Sequence, residues 1–202
     1  MKAPRRIGLV LLAAGESRRM GTPKQLLPFE GKPLVRHAAQ VAVASGCSPV
    51  VVVLGSSSQN IAAALEGLPV RAVTNSRWAE GMGTSIQAGL AALAPEHLDG
   101  VVITLADQPF VNAAHLAHLI AAQRRTNRPI IASEYSGTAG IPALFMRPVF
   151  DELNALDPHE GCKRVILALR EAALFLACPE AAQDIDTPED FAAITVGAQR
   201  SA

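Results

Sequence analysis

The sequence predicts an α/β protein of three layers, with helices on both faces of a mostly parallel sheet. Short apolar runs alternate with longer Ala-rich segments, the order expected of successive β/α units. Those runs are apolar throughout rather than at every second residue, as in strands buried on both faces. Half of the 202 residues are hydrophobic and 18% are charged, which excludes an intrinsically disordered chain. This length is that of one domain, commonly about 100–200 residues, with room for a substantial core.

The first strand is placed at residues 7–14, after Lys2, Arg5 and Arg6. A basic start before an apolar run also resembles a secretory leader. This run is short, however, and Gly15-Glu16-Ser17-Arg18-Arg19 supplies no small-x-small cleavage pattern directly after it. A helix follows over 33–45, with Pro33 suited to its first turn and Gly46 just past its last. Next come a strand over 49–54, a helix over 59–66 and a strand over 70–74. The pattern continues with a helix over 83–94, a strand over 100–105, a helix over 113–125 capped by Asn112, and a strand over 129–133. Right-handed crossovers stack these units into the layered sheet.

Past residue 134 the alternation loosens. A turn is expected across 135–139 with Gly137 and Gly140, then a short strand over 143–146. Helices over 148–156 and 161–171 and a strand over 173–177 follow. Thr187 suits an N-cap, Pro188 the first helical position, and Glu189 and Asp190 the positive end of the helix dipole. Residues 196–202 are expected to fray. With no internal repeat, low-complexity tract or linker, one domain is expected over 1–202.

Charge and cysteine content narrow the setting. Lys plus Arg equals Asp plus Glu at 18 each, so nothing global recruits the chain to nucleic acid or to an anionic membrane. No stretch approaches the ~20 apolar residues of a membrane span. Cys47, Cys162 and Cys178 are odd in number and form no C-x-x-C, which suggests buried thiols in a reducing cytoplasm.

Four segments bear chemistry. At residues 11–24 a buried strand ends in small residues and opens into a loop with Gly15, Gly21, Arg18, Arg19 and Lys24. Glycines admit a ligand close to backbone N–H groups, and the cations match phosphate charge. The loop is neither a Walker A sequence nor a G-x-G-x-x-G, and a solvated basic turn has the same composition. Asp107 directly follows a strand, at the sheet edge where ligands of open α/β sheets bind. A hard-oxygen ligand there suits Mg²⁺, and a turn or helix cap is the alternative. Asp184 and Asp186 precede a helix, where acids also favour the dipole. Residues 75–85 hold the single Trp and a Gly-rich helix entry able to meet an anion or a base edge, or simply to cap the helix. His115 and His118 share a helix face, where solvation is the plainer reading. No Ser/His/Asp or Cys/His arrangement stands out.

Together the motifs resemble the MobA-like nucleotidyltransferases, and within them the molybdenum cofactor cytidylyltransferases. The resemblance rests on LLAAGESRRMGTPKQLLPFEGKPLVRH from Leu11, NSRWAEGMGTSIQAGL from Asn75, LADQPFV from Leu105, GIPALF from Gly140 and DIDTPEDF from Asp184. It implies a Rossmann-like α/β/α fold of the nucleotide-diphospho-sugar transferase type, binding a nucleoside triphosphate with Mg²⁺. By matching position, Leu12, Ala13, Ala14 and Gly15 would hold base and ribose, with Asn75, Gly81 and Ser85 nearby. Arg19 and Lys24 would grip the triphosphate, and Asp107 and Asp186 would bind the metal. Residues to about 110 would serve the nucleotide and 111–195 the acceptor.

The implied reaction moves CMP from CTP to the terminal phosphate of molybdopterin, the molybdenum cofactor, and releases pyrophosphate. An ionised acceptor phosphate needs no dedicated general base, which agrees with the absence of an activated His or Cys. A molybdoenzyme or its insertion chaperone would receive the product. Two segments depart from the family pattern. Gly140-Ile141-Pro142 stands where relatives often have Gly-His-Pro, and residues 157–163 replace a Gly-Asp-x-Gly-Ala-Arg. Both lie in the acceptor half. Rival readings are GTP in place of CTP, the cytidylyltransferase of the isoprenoid pathway, and a non-catalytic carrier of the cofactor.

Overall fold

The computed structural model describes residues 5–17 and 19–199. Lys2, Arg18 and the last part of the expected frayed tail, 200–202, lie outside the described residues. The described chain forms a seven-stranded sheet in the order β5-β4-β1-β6-β8-β7-β9. These strands are β1 (Ile7–Ala13), β4 (Val50–Leu54), β5 (Arg71–Thr74), β6 (Gly100–Leu105), β7 (Ile130–Tyr135), β8 (Thr138–Met146) and β9 (Ala173–Ala177). A small antiparallel hairpin, β2 (Pro28–Phe29) with β3 (Lys32–Pro33), stands apart from the sheet. Within the sheet β8 runs antiparallel to β6 and β7, and the other pairs are parallel. The mostly parallel α/β sheet is therefore as expected.

Every residue of β1 and β4 is buried, because alternate side chains enter two separate cores. Leu9, Leu11, Val52 and Leu54 face one core with α1 (Leu34–Ala44), α2 (Ser58–Ala64) and α4 (Ala113–Thr126). Val10, Leu12, Val51 and Val53 face the other with α3 (Met82–Leu93), α5 (Phe150–Asn154) and α6 (Cys162–Ala168). This is the three-layer arrangement. All three cysteines are free and buried, and burial pushes the Cys162 thiol up to about 12.

Several expectations need correction. β5 exists but is an exposed strand at the end of the sheet, not one buried on both faces; Arg71 on it keeps that edge polar. The strand expected over 143–146 is nine residues long and contains Gly140, which is not in a turn. Gly140 and Pro142 hide it from a reading by pattern, since both residues normally interrupt strands. The ladder with β7 shifts register at Ala132/Ser133, close to where Pro142 enters, and a bulge is a place a strand tolerates proline. The helices near 148–156 and 161–171 are shorter than expected, each flanked by a 3-10 turn. Helix α7 (Pro188–Gln199) reaches into the segment expected to fray. Pro33 precedes α1 rather than joining it, whereas Asn112 does cap α4 through His115 N–H. His115 is not merely solvated: its Nε2 lies 2.7 Å from buried Ser133 Oγ.

Two features position the carboxyl edge of the sheet. β1 and β6 are paired through Leu12 and Leu105, so the chain leaves both strands side by side. Helix α3 lies close against β1 and β4 because position 89 is glycine. A Cβ there would fall 2.5 Å from Val10 Cγ1 and 3.2 Å from Val53 Cγ2. Gly89→Ala gains about 1 kcal/mol of helix propensity. Overpacking against two χ1-stiff valines outweighs it, and we expect a net loss of about 1–3 kcal/mol in urea unfolding.

Candidate functional site

The loop after β1 is built by a glutamine. Gln25 is 3% exposed and donates from Nε2 to the carbonyls of Ala13 (3.2 Å) and Gly15 (2.8 Å). Its Oε1 accepts from Ser17 Oγ at 3.3 Å, and that hydroxyl accepts the Lys24 backbone N–H at 3.0 Å. Ser17 sits at φ 61, a turn conformation that brings the chain back on itself. The loop thus returns Lys24 to the strand end it left, where its ammonium meets the acids at the carboxyl edge.

Lys24 Nζ lies 2.6 Å from Asp107 Oδ2 and 2.7 Å from Asp186 Oδ1. Arg19 Nη2 lies 2.5 Å from Asp186 Oδ2. The two acidic segments are joined directly, since the Ile185 N–H donates to the Asp107 carbonyl at 3.0 Å. Asp186 is set by a reciprocal cap: Asp190 accepts from the N–H groups of Asp186 and Thr187, and Thr187 Oγ1 accepts from Asp190 N–H. Burial raises Asp107 above the usual carboxylate range, with Lys24 opposing and Asp184 and Asp186 adding to the shift. The hydrogen bond from Lys24 holds Asp186 below that range. Burial works against the Lys24 charge, yet Asp107 and Asp186 raise its ammonium above the ordinary lysine value.

These residues suit a divalent cation. Asp107 Oδ1 is buried and has no hydrogen-bond partner, and the donors are hard carboxylate oxygens. Among the described residues no group of three or more His, Cys, Asp or Glu is arranged to hold a metal. Asp107 and Asp186 would therefore share a cation with phosphate and water oxygens, as magnesium commonly does.

Beside this cluster opens a cavity of about 340 Å³, within the range of small-ligand sites. Leu12, Ala13, Ala14, Gly15, Lys24, Gly81, Ser85, Asp107 and Asp186 all line it, so most of the expected residues meet in one place. Arg19 lines a second opening of about 450 Å³ that shares Gly15, Lys24, Trp78, Gly81 and Asp186 with the first. Asn75 is not in the wall. Its amide donates to Thr84 Oγ1 (2.9 Å) and Ser85 Oγ (3.0 Å) and accepts from Arg77 N–H, so it orients Ser85 from behind. Gln25, Trp78 and Asp184 line the cavity without having been singled out as site residues. All three lie inside the motifs of the sequence, and Asp184 opens the one that ends in Phe191.

The N-terminus of α3 is pressed against the segment 157–159. Gly81, at φ 134, would place a Cβ 2.3 Å from the Pro158 carbonyl oxygen, and Gly83 one 2.2 Å from that of Asp157. Gly83 N–H donates to Pro158 O at 2.9 Å. Only glycines allow this closure. Gly140-Ile141-Pro142 is tied to the residue after Asp107: Ile141 O accepts from Gln108 Nε2 (3.4 Å), and also from Tyr135 OH (3.1 Å).

Residues 9–173 match the family model of the MobA-like NTP transferase domain. The chain belongs to that family. It is 30% identical to the purine catabolism protein PucB of Bacillus subtilis, over 95% of this chain and 96% of PucB. It is 40% identical to nicotine blue oxidoreductase of Paenarthrobacter nicotinovorans, over 57% of this chain and 56% of that protein. The structure of Rv0371c from Mycobacterium tuberculosis in complex with manganese is 30% identical, covers 94% of this chain and 97% of its own, and has a TM-score of 0.75. The fold is that of the nucleotide-diphospho-sugar transferases. Among the described residues no helix is long and apolar enough to cross a membrane.

Gln25→Leu tests the loop's construction. It strips two carbonyls of a buried partner, and we expect about 1–3 kcal/mol of destabilisation in urea unfolding, with weakened nucleotide binding.

Proposed function

We propose that the chain transfers CMP from CTP to the terminal phosphate of molybdopterin, or of its molybdenum-bearing form, and releases pyrophosphate. The observation that carries this reading is the convergence of Lys24, Asp107 and Asp186 at the mouth of a cavity walled by Leu12 to Gly15. Base and ribose occupy that cavity. Arg19 and Lys24 take the triphosphate, and Asp107 and Asp186 hold Mg²⁺. The cation, when bound, offsets charge on the α-phosphate and on the departing pyrophosphate. An oxygen of the acceptor phosphate attacks the α-phosphorus, the bond to the β-phosphate oxygen breaks, and its electron pair leaves with pyrophosphate. Ionised acceptor oxygen needs no proton removed, so the residues here position and neutralise rather than shuttle protons.

Residues to about 110 serve the nucleotide and 111–195 the acceptor, within one domain. The setting proposed is the cytoplasm, with a molybdoenzyme or its insertion chaperone as recipient. The Ala14 side chain, buried in the cavity wall, favours the smaller pyrimidine over guanine. At equal concentrations of CTP and GTP we expect incorporation from CTP; preference for GTP overturns the choice of base.

The deciding experiment is pyrophosphate release across nucleotides and phosphorylated acceptors, including the erythritol phosphate of the isoprenoid reaction. Binding of the cofactor without release would identify a carrier instead. We expect Asp107→Asn to lower kcat by about 10²-fold or more while the fold survives. Asp186→Asn is expected to lose less, since an amide oxygen still ligates a metal. Arg19→Lys should lose nucleotide affinity through its missing planar fork. Wild-type turnover and Mg²⁺ dependence in Asp107→Asn would make Asp107 a turn residue.

A further inference from the structure

Lys24 stands where a cation would stand. Its ammonium is held between the two carboxylates assigned to the metal, 2.6 Å from one and 2.7 Å from the other. Its side chain is only 12% exposed, whereas that of Arg19 is 66% exposed and meets Asp186 from the outside. A metal needs the same anionic oxygens that Lys24 now engages, so the two cannot both be fully satisfied.

We propose that Lys24 competes with the divalent cation for Asp107 and Asp186, and that an incoming triphosphate opens the seat by drawing the ammonium onto its own oxygens. This rests on the metal-dependent transfer proposed above. Lys24 lines both the nucleotide cavity and the adjoining opening, so rotation within its flexible stem suffices for the exchange. The freed Asp107 Oδ2 and Asp186 Oδ1 then join Asp107 Oδ1, which has no hydrogen-bond partner already. The consequence is a binding order in which the protein without nucleotide holds divalent cations poorly.

The test uses manganese(II) alone, with the free ion followed by its paramagnetic resonance signal. The proteins are the full chain, Lys24→Met, Arg19→Met, Asp107→Asn and the Lys24→Met/Asp107→Asn pair. Lys24→Met should bind manganese about tenfold more tightly than wild type or better, because a competing charge in hydrogen-bond contact is gone. Arg19→Met should gain much less, and the double variant should lose the gain. Thermal unfolding reads the same competition without a binding signal. Lys24→Met leaves two carboxylates facing each other, so its midpoint should fall and manganese should restore it, whereas wild type should respond little. If Lys24→Met does not fold, Lys24→Gln replaces it with the same expectation.

Equal manganese affinity in wild type and the Lys24 variant, abolished by Asp107→Asn, overturns the competition but keeps the metal site. A gain from Arg19→Met as large as that from Lys24→Met also overturns it, since net charge would then explain both. No manganese binding to any of these proteins overturns the competition and the metal site together. Pyrophosphate release judges the transfer reaction separately.

Discussion

The bridge from Lys24 to Asp107 and Asp186 is the constraint around which the edge of this sheet is organised. It joins the loop after β1, the end of β6 and the segment before α7, three parts of the chain far apart in sequence. Asp107 and Asp186, with Asp184 in the same wall, would repel one another in a partly buried site. A cation between the carboxylates offsets that repulsion. That cation is the ammonium of Lys24, in contact with both Asp107 and Asp186. The surroundings then have two tasks: to hold the three segments in reach of each other and to leave room for a ligand.

The first task falls to apolar anchors as much as to hydrogen bonds. A third small core contains Phe29, Leu34, Ile185 and Ile194, with Met20, Leu27, Phe110 and Phe191 packed on it. Met20 follows Arg19, Phe110 lies three residues beyond Asp107, and Ile185 precedes Asp186. Each charged segment therefore drops one apolar side chain into the same cluster. His37 adds a polar tie, with Nε2 3.1 Å from the Pro109 carbonyl oxygen and its ring edge-on to Phe29. Burial keeps its pKa below the usual histidine value, so at neutral pH it acts as a neutral hydrogen-bonding group. The hairpin of β2 and β3, detached from the sheet, is explained by this role: it supplies Phe29 and leads into Leu34.

Much of this was legible in the sequence, and the reasons differ by region. From β1 to α4, runs apolar on both faces and Gly, Pro and Asn punctuation each report one local preference, and tertiary packing agrees with most of them, the exposed β5 and the place of Pro33 outside α1 being the exceptions. The loop ending in Lys24 and the acid after β6 were legible because a parallel sheet places successive strand ends on one edge. Asn75 stands behind Ser85 of the cavity wall rather than in it, for a physical reason. A polar residue at a strand end either faces a ligand or satisfies its neighbours, and composition does not separate the two. Gln25 illustrates the converse. A buried side chain that serves two carbonyls has no local signature, since its partners Ala13 and Gly15 lie ten or more positions away. β8 was underestimated because Gly140 and Pro142 are read as breakers, while here buried neighbours on both sides hold them in a strand.

The second task, leaving room, is carried by α3. Its start walls the cavity beside Lys24 through Gly81, Met82 and Ser85. The same turn receives the Pro158 carbonyl on Gly83 N–H, and Gln87 one turn later donates to the carbonyls of Asn154 (3.0 Å) and Leu156 (2.9 Å). Gly89 sets the helix against β1 and β4. One helix thus carries the cavity wall and the ties to the segment 154–158, with its depth fixed by a glycine. All three ties to that segment end on backbone carbonyls, which any side chains there can supply. Packing ties the segment as well, since Leu156 is buried in the same core as Ile86 and Leu90 of α3. Backbone ties and this buried leucine together seat the segment against the helix whose start walls the cavity beside Lys24.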